Sequence, residues 1–539
     1  MSKIVAALCL VAALALGACG GGGSGTGSGD EAFDLSTLET STPAGQDEVD
    51  SIAWNLLREP VTLDPIKSQT ESENPVVVTL CDTLLRMTPE FGVEPGLAES
   101  FEMVDPKTWV YELRDDATFW NGKPVTPEDV VFSLERSFGG DATSYWPLYF
   151  ERVASVEATG PSEVTIKLKK PYSMLNEQLS ALGGAIVEKA SVEAAGGRYG
   201  TPTKGVMCSG PFEFQRWNPG SDLTVVRNDD YWGERPKVGQ IVFKFIEDES
   251  TLSSATSSGQ VQGMYEVPVA ALPDIQGSSA GALHLGPSTR MLSLVPTERP
   301  GGALQDAKVR RALYLAMDHQ AIASSVFANT AVPAKSVTPP TWGYGQDVFQ
   351  KYYDSIPDPK VDLEGAKQLV TEAGAEGKRI KIATDNSRAH VSVTNSIQSA
   401  ASQIGLKVDI TVLTPSENEA LFFDKKLRQG YDGFINSPFT FVADPLELGI
   451  YLLPDSYYNY GLYENQRFAS LIERALGEYD DEARAETLVE AQRIMDRDVP
   501  WIPIVYQPVR MYQSSEISGA TPSWSYMSAP WTDRIGTAP

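Results

Sequence analysis

Between residues 109 and 138 the spacing of apolar positions changes period, and each change predicts an element. In Trp109-Val110-Tyr111-Glu112-Leu113-Arg114, Trp109, Tyr111 and Leu113 fall on one side and Glu112 and Arg114 on the other. That period of two belongs to a strand with one buried face. Asp115-Asp116 ends it. Asn121-Gly122 tolerates positive φ and Pro124 disfavours helix before it, so a tight turn follows Phe119-Trp120. Thr126 then opens a helix: its hydroxyl can accept from a first-turn amide, and Pro127 loses nothing by lacking an N–H. Glu128 and Asp129 put negative charge at the positive end of the helix dipole, and Val131, Leu134 and Phe138 supply the apolar stripe.

The same reading extends along the chain. A first strand at 52–56 leads through Thr62-Leu63-Asp64-Pro65 into the loop Ser68-Gln69-Thr70, and a helix from about 75 to 85 turns Val78, Leu84 and Leu85 inward. Residues 153–157 and 164–168 alternate and form a hairpin across Gly160-Pro161, which joins the 109–138 stretch in a small α+β unit. A strand at 241–246 precedes a helix ending at Gly259. Asp362 caps a helix with Ala366, Leu369, Val370 and Ala373 on one face and Gly374 at its end. Strand 380–382, a helix through Ile397, Ala401 and Ile404 stopped at Gly405, and strand 408–412 follow. Helix alternating with strand at this spacing predicts an α/β lobe with a partly parallel sheet. The last amphipathic helix, about 481–497, leads into the apolar strand 500–506.

Length and charge narrow the class. A chain of 539 residues exceeds one core and suggests about three domain-sized units. A net charge of −27 repels phosphate backbones and anionic headgroups, so no nucleic acid partner is expected. Lys3 and the apolar run from Ile4 to Leu16 read as a secretory signal, too short to span a bilayer core, which needs about 20 residues. Leu16-Gly17-Ala18-Cys19 looks like a lipobox. Residues 1–18 are therefore expected to be a lipoprotein signal peptide, Cys19 the lipidated residue, and 19–48 a flexible tether. The protein is expected to be extracytoplasmic and anchored to the cell membrane. Gly20 to Gly25 satisfies G-x-G-x-x-G, yet no strand precedes it and no helix follows, so it is composition only. Cys9 and Cys19 belong to the signal. Cys81 and Cys208 remain, either as a disulfide in an oxidising envelope or as two separately buried thiols.

The 109–138 stretch, with Pro95-Gly96-Leu97-Ala98-Glu99-Ser100-Phe101 upstream, resembles the signature segment of the family 5 extracellular solute-binding proteins of ABC importers. This is the oligopeptide, dipeptide and nickel-binding group. Ser209-Gly210-Pro211-Phe212, Arg227-Asn228-Asp229-Asp230-Tyr231-Trp232 and the run from Asp306 to Leu313 with Ala316-Met317-Asp318 extend the likeness over about residues 50–510. The resemblance implies an α/β periplasmic-binding-protein-like type II (cluster C) fold, with two lobes joined by a hinge and a small α+β accessory domain. Its layout would be lobe I at 49–88, 201–291 and 499–539, the accessory domain at 89–200 and lobe II at 292–498. It also brings Cys81 and Cys208 near the crossing between lobe I and the accessory domain. It implies capture of a small solute or peptide and its delivery to membrane permease subunits, by a monomer without cofactor or metal.

Catalytic signatures are missing. His284, His319 and His390 are isolated, and no HExxH, CxxC, Walker A or GxSxG occurs. Binding needs a cleft lined by aromatics and adaptable polar groups that closes by hinge motion. By family position and loop placement, the ligand-contacting candidates are Ser68, Gln69 and Thr70 from lobe I, Tyr145 and Trp146 from the accessory domain, and Asn436, Phe439, Thr440 and Phe441 from lobe II. The chain departs from the family at two places. Gly259-Gln260-Val261-Gln262 lacks the usual acid. In the 431–445 segment, Phe441 stands where peptide-binding members hold the aspartate that pairs with the peptide ammonium, and Pro438 where they hold an aromatic. A buried ammonium without a paired carboxylate costs several kcal/mol. Either Asp444 or another acid substitutes, or the ligand has no free amine there and an apolar or sugar-like part meets Phe439 and Phe441. Peptide leads as substrate class; oligosaccharide, amphiphile and metal chelate stand beside it. A lipoprotein hydrolase using two carboxylates, and a sensory or adhesion lipoprotein, are the alternatives of other classes.

Overall fold

The computed structural model describes residues 35–539, and three of its five sheets have four or more strands. The expected signal peptide 1–18, Cys19 and the first part of the expected tether lie outside the described residues. Among the described residues no helix is long and apolar enough to cross a membrane.

Lobe I is built on a seven-stranded mixed sheet in the order Gly281–Gly286, Val509–Ser514, Gly263–Met264, Ile52–Leu56, Gln240–Phe245, Asp222–Arg227, Phe212–Asn218. Ile52–Leu56 runs parallel to both its neighbours, and its Trp54 is fully buried. Lobe II has a six-stranded sheet, Val332–Pro333, Ile502–Tyr506, Met291–Pro296, Gly433–Asn436, Arg379–Asp385, Lys407–Leu413. Arg379–Asp385 is parallel to Lys407–Leu413 and to Gly433–Asn436, the partly parallel sheet that the strand and helix spacing predicts. Asp362 accepts from Gly365 N at 2.8 Å to cap Leu363–Glu372, and Gly374 (φ 58°) and Gly405 (φ 83°) end their helices in the left-handed conformation. Two large sheets and a smaller antiparallel one agree with the two lobes and accessory unit that the resemblance implies.

The chain passes between the two large sheets twice. The first crossing, 287–290, separates Gly281–Gly286 from Met291–Pro296; the second, 507–508, separates Ile502–Tyr506 from Val509–Ser514. The second lies later than the boundary at 499 expected from sequence. Ile502–Tyr506 pairs with Met291–Pro296 in lobe II, and its buried residues there are as apolar as those of a lobe I strand, so pattern alone cannot assign it.

The accessory unit carries a four-stranded antiparallel sheet, Ala98–Asp105, Thr108–Leu113, Glu163–Leu168, Val153–Ala158. The predicted turn is present: Gly122 has φ 78° and its N donates to Phe119 O at 2.8 Å. Thr126 and Asp129 form a capping box on Pro127–Glu135. The inward face of that helix differs from the predicted Val131, Leu134, Phe138 stripe. Val130, Ser133, Leu134 and Ser137 are buried, and Val131 and Phe138 are half-buried. The two serines are admitted because their hydroxyls are satisfied, Ser133 Oγ donating to Asp129 O at 2.7 Å and Ser137 Oγ to Gly183 O at 2.7 Å. The helix placed at about 75–85 is Asn74–Leu80 only; Cys81 turns to extended backbone and Leu85–Met87 is a strand paired with Val93–Pro95. Cys81 is bonded to Cys208, and Gly210 N donates to Leu80 O at 2.9 Å, so outgoing and returning chains are tied where the accessory unit leaves lobe I.

Residues 35–48, assigned to the tether by composition, are held against the body. Thr42 Oγ1 donates to Ala520 O at 2.8 Å, Gly45 N to Arg534 O at 2.9 Å and Gln46 N to Thr537 O at 2.9 Å. These partners come from the far end of the chain, which a local composition cannot reveal.

Candidate functional site

The loops singled out by sequence meet where lobe I, lobe II and the accessory unit come together. Pro65–Lys67 forms a single helical turn, and its carbonyls seat the accessory loop: Tyr145 N donates to Ile66 O at 2.9 Å and the Trp146 indole Nε1 to Pro65 O at 3.1 Å. Trp146 is fully buried, and a Cβ on Gly183 would stand 2.9 Å from its ring, so only glycine lets that wall approach. From lobe II, Phe441 packs on Trp146 at 4.6 Å between ring centroids and edge-on to Tyr149 at 5.8 Å. Phe439 touches Phe441 at 5.3 Å. The series continues through Trp524 (5.2 Å from Phe439), Tyr526 (5.5 Å from Trp524), Tyr265 (3.8 Å from Tyr526) and Trp54 (5.2 Å from Tyr265) into the core of lobe I.

The predicted residues divide within this frame. Trp146, Phe439, Thr440 and Phe441 form one wall; the Thr440 carbonyl accepts from Trp524 Nε1 at 3.2 Å and from Thr289 Oγ1 at 2.6 Å. Gln69 is half-buried and Thr70 and Tyr145 are exposed at the rim. Ser68 is buried and its hydroxyl donates to Asn74 Oδ1 at 2.7 Å, which holds the loop. Asn436 Oδ1 accepts from Ser437 N at 2.9 Å at the end of its strand, and Gln507 Nε2 donates to Ser437 Oγ at 2.7 Å. The lobes close tightly here: a cavity of about 10 Å³, the room of about one water, touches Thr289, Thr440 and Asp444. A larger open depression of about 790 Å³, lined by Phe138, Pro147, Phe150 and Val153, contains none of the predicted residues and is a feature of the accessory unit's surface.

Asp444, the nearby acid that could replace the one missing at 441, is buried and already partnered at Oδ1. Its Oδ1 caps the helix Pro445–Tyr451 through Leu446 N at 2.8 Å and accepts from Tyr344 Oη at 2.9 Å, while Arg484 Nη2 stands 3.9 Å from Oδ2. Burial raises its pKa and Arg484 opposes the rise. Glu447 lies beneath Phe441. Its two oxygens accept from Phe441 N, Val442 N, Tyr451 Oη and Gln178 Nε2, at 3.0, 3.1, 2.6 and 3.2 Å. Those donors oppose desolvation only in part, and burial pushes its carboxyl up to about 7. Glu447 thus shapes the 441–442 backbone and ties it to the accessory helix bearing Gln178.

This arrangement can enclose a solute between aromatic faces. The model of the bacterial extracellular solute-binding proteins, family 5 (middle), matches residues 92–459. The chain belongs to this family. Family 5 proteins are the extracytoplasmic substrate-binding components of ABC importers. A curated relative, the glutathione-binding protein GsiB of Escherichia coli K12, is 25% identical over 510 residues, 91% of this chain and 95% of GsiB. Among solved structures, DppA from Helicobacter pylori in complex with the peptide STSA superposes with a TM-score of 0.77 at 19% identity, covering 92% of this chain and 99% of its own. NikA from Staphylococcus aureus in complex with Ni(L-His)2 gives 0.75 at 21% identity, covering 91% and 100%.

Within this family 5 fold, sequence reading missed Trp524 and Tyr526, which come from the C-terminal segment beyond the recognisable motifs. It also missed Glu447 and Arg290. Glu447 left a signal, a lone charge in Leu446-Glu447-Leu448, whereas Arg290 follows the polar pair Ser288-Thr289 and left none.

Proposed function

We propose that this family 5 protein captures a peptide or peptide-like solute between its lobes and hands it to the permease of an ABC importer, as a monomer anchored through Cys19. The observation that supports this reading is the meeting of Trp146, Phe441, Phe439 and Trp524, drawn from the accessory unit, lobe II and the C-terminal segment, on one aromatic wall. A wall shared between units forms only when they close, so a ligand bound there couples its own burial to closure. Catalysis has no part in the reading.

A second reading, a non-peptide solute such as an oligosaccharide, amphiphile or metal chelate, is favoured by Phe441. Its ring is buried against Trp146 and Tyr149 where peptide-binding members are expected to hold an acid, and Asp444 is engaged by Tyr344, Leu446 N and Arg484. Mass spectrometry of small molecules released on denaturing the purified protein, paired with thermal-shift screening of peptides, sugars and chelates, decides between them. Melting-temperature increases with peptides alone support the first; increases with sugars or chelates alone reject it.

A further inference from the structure

Where the two crossings run side by side, Gln507 N donating to Arg290 O at 3.1 Å, two guanidinium groups are buried against one buried carboxylate. Arg290 ends the first crossing and Arg510 follows the second. Glu266 Oε2 forms an ion pair with Arg290 Nη1 and lies 3.5 Å from Arg510 Nη2. Residue exposures are 5% for Glu266, 8% for Arg290 and 5% for Arg510. A second acid, Glu71, reaches Arg290 Nη1 only at 3.8 Å, with a third of its side chain exposed. Buried cations that outnumber buried anions call for a further acceptor, because unpaired charge out of water is costly.

The donors without acceptors show where it would go. Arg290 Nε and Arg510 Nη1 have no hydrogen-bond partner, and Arg290 Nη2 has a long one, Gln507 Oε1 at 3.3 Å. Arg290 also reaches two of the loops named above, one directly and one through its neighbours. Glu71 belongs to the 68–71 loop, Gln507 reaches Ser437 beside Asn436, and the Arg290 guanidinium lies 5.4 Å from the ring of Trp524, which packs on Phe439. A planar guanidinium presents paired donors that match a carboxylate, and an aromatic face beside it favours a ligand with an apolar portion next to its charge.

We propose that Arg290 anchors a carboxylate of the bound solute, which displaces Glu71 from the guanidinium while Glu266 holds Arg290 in place. The inference rests on the solute-binding reading and deepens it: the solute class is a carboxylic acid with an aromatic or apolar part, recognised through its anion. The exchange is favourable because the Glu71 contact is long and partly solvated, whereas a carboxylate in a closed cleft is not.

Thermal-shift screening with matched pairs tests this, using N-acetylated aromatic tripeptides and aromatic acid conjugates, each as free acid and as carboxamide. The free acids are expected to raise the melting temperature and the carboxamides to leave it unchanged. By calorimetry, Arg290→Gln is expected to weaken the best acid about 10- to 100-fold, the loss of a hydrogen bond to a charged group. Glu71→Gln, which removes the competitor, is expected to tighten it several-fold. Where Arg290→Gln fails to fold, Glu71→Gln carries the test, and unchanged or weaker binding of the acid overturns the proposal. Equal binding of acid and carboxamide, or binding confined to uncharged sugars and chelates, overturns it and leaves solute binding intact. No released molecule and no melting-temperature increase with any compound rejects solute binding itself, and this inference with it.

Discussion

Replacing both bonded cysteines, Cys81→Ala with Cys208→Ala, isolates what the cross-link contributes. The bond joins residues 127 apart, and the chain between them is the accessory unit. In the unfolded chain it holds that long segment as a closed loop, and the lost loop entropy corresponds to about 5 kcal/mol of stability. In the folded chain little else changes: both positions are buried, and the hydrogen bonds Gly210 N to Leu80 O at 2.9 Å and Trp120 N to Cys208 O at 3.1 Å still hold the neck. The assay is guanidinium unfolding followed by circular dichroism. The double variant should lose about 5 kcal/mol, and its transition should steepen, because an unlinked unfolded chain exposes more surface. Wild-type protein treated with a phosphine reductant should follow the same curve. A loss below about 1 kcal/mol, or a large loss with no change in steepness, refutes an unfolded-state origin.

Other perturbations probe the capping, the pH response and the wall. Thr126→Ala should cost about 1 kcal/mol and Thr126→Ser almost nothing, read from the same unfolding curves; equal costs would dismiss the capping box. Glu447 has a folded pKa raised from 4.5 to about 7, so its contribution is fully present below pH 4.5 and is lost as pH rises through 7. The groups around it, Tyr149, Tyr172, Tyr451, Tyr458 and Gln178, include no cation, and the loss amounts to about 3 kcal/mol. Unfolding of wild type and Glu447→Gln at pH 5 and pH 8 should show a decline in wild type that the variant lacks; parallel declines would rule Glu447 out. Trp146→Ala removes a fully buried indole and should cost about 3–5 kcal/mol. A melting temperature within a degree of wild type would show that the accessory unit is held to lobe I by something else.

The strand, turn and capped helix of 109–138 were legible because each is decided by neighbours in sequence: alternation, Asn121-Gly122 and Thr126-Pro127 act over a few residues. The alternating helices and strands of lobe II were legible for the same reason. What escaped was set by partners far along the chain. Ile502–Tyr506 reads as an apolar strand whichever sheet receives it, and only its pairing with Met291–Pro296 assigns it to lobe II. Ser133 and Ser137 look polar to any stripe count until their carbonyl partners are known. At the candidate site, loop position brought Trp146, Phe439 and Phe441 to one wall, yet it could not show that Ser68 points inward to Asn74 or that Trp524 completes the wall.

The unbroken run of rings from Trp54 to Tyr149 has an optical consequence. Trp524 and Trp146 sit on either side of Phe439 and Phe441, each within 5.3 Å of its neighbour in the run. Parting the lobes would wet both indoles at once, and indole emission moves to longer wavelength in water. Trp54 and Trp531, 4.2 Å apart in lobe I, would keep their colour as an internal reference. The protein carries its own gauge of opening, readable without a label in a fluorimeter or a stopped-flow instrument.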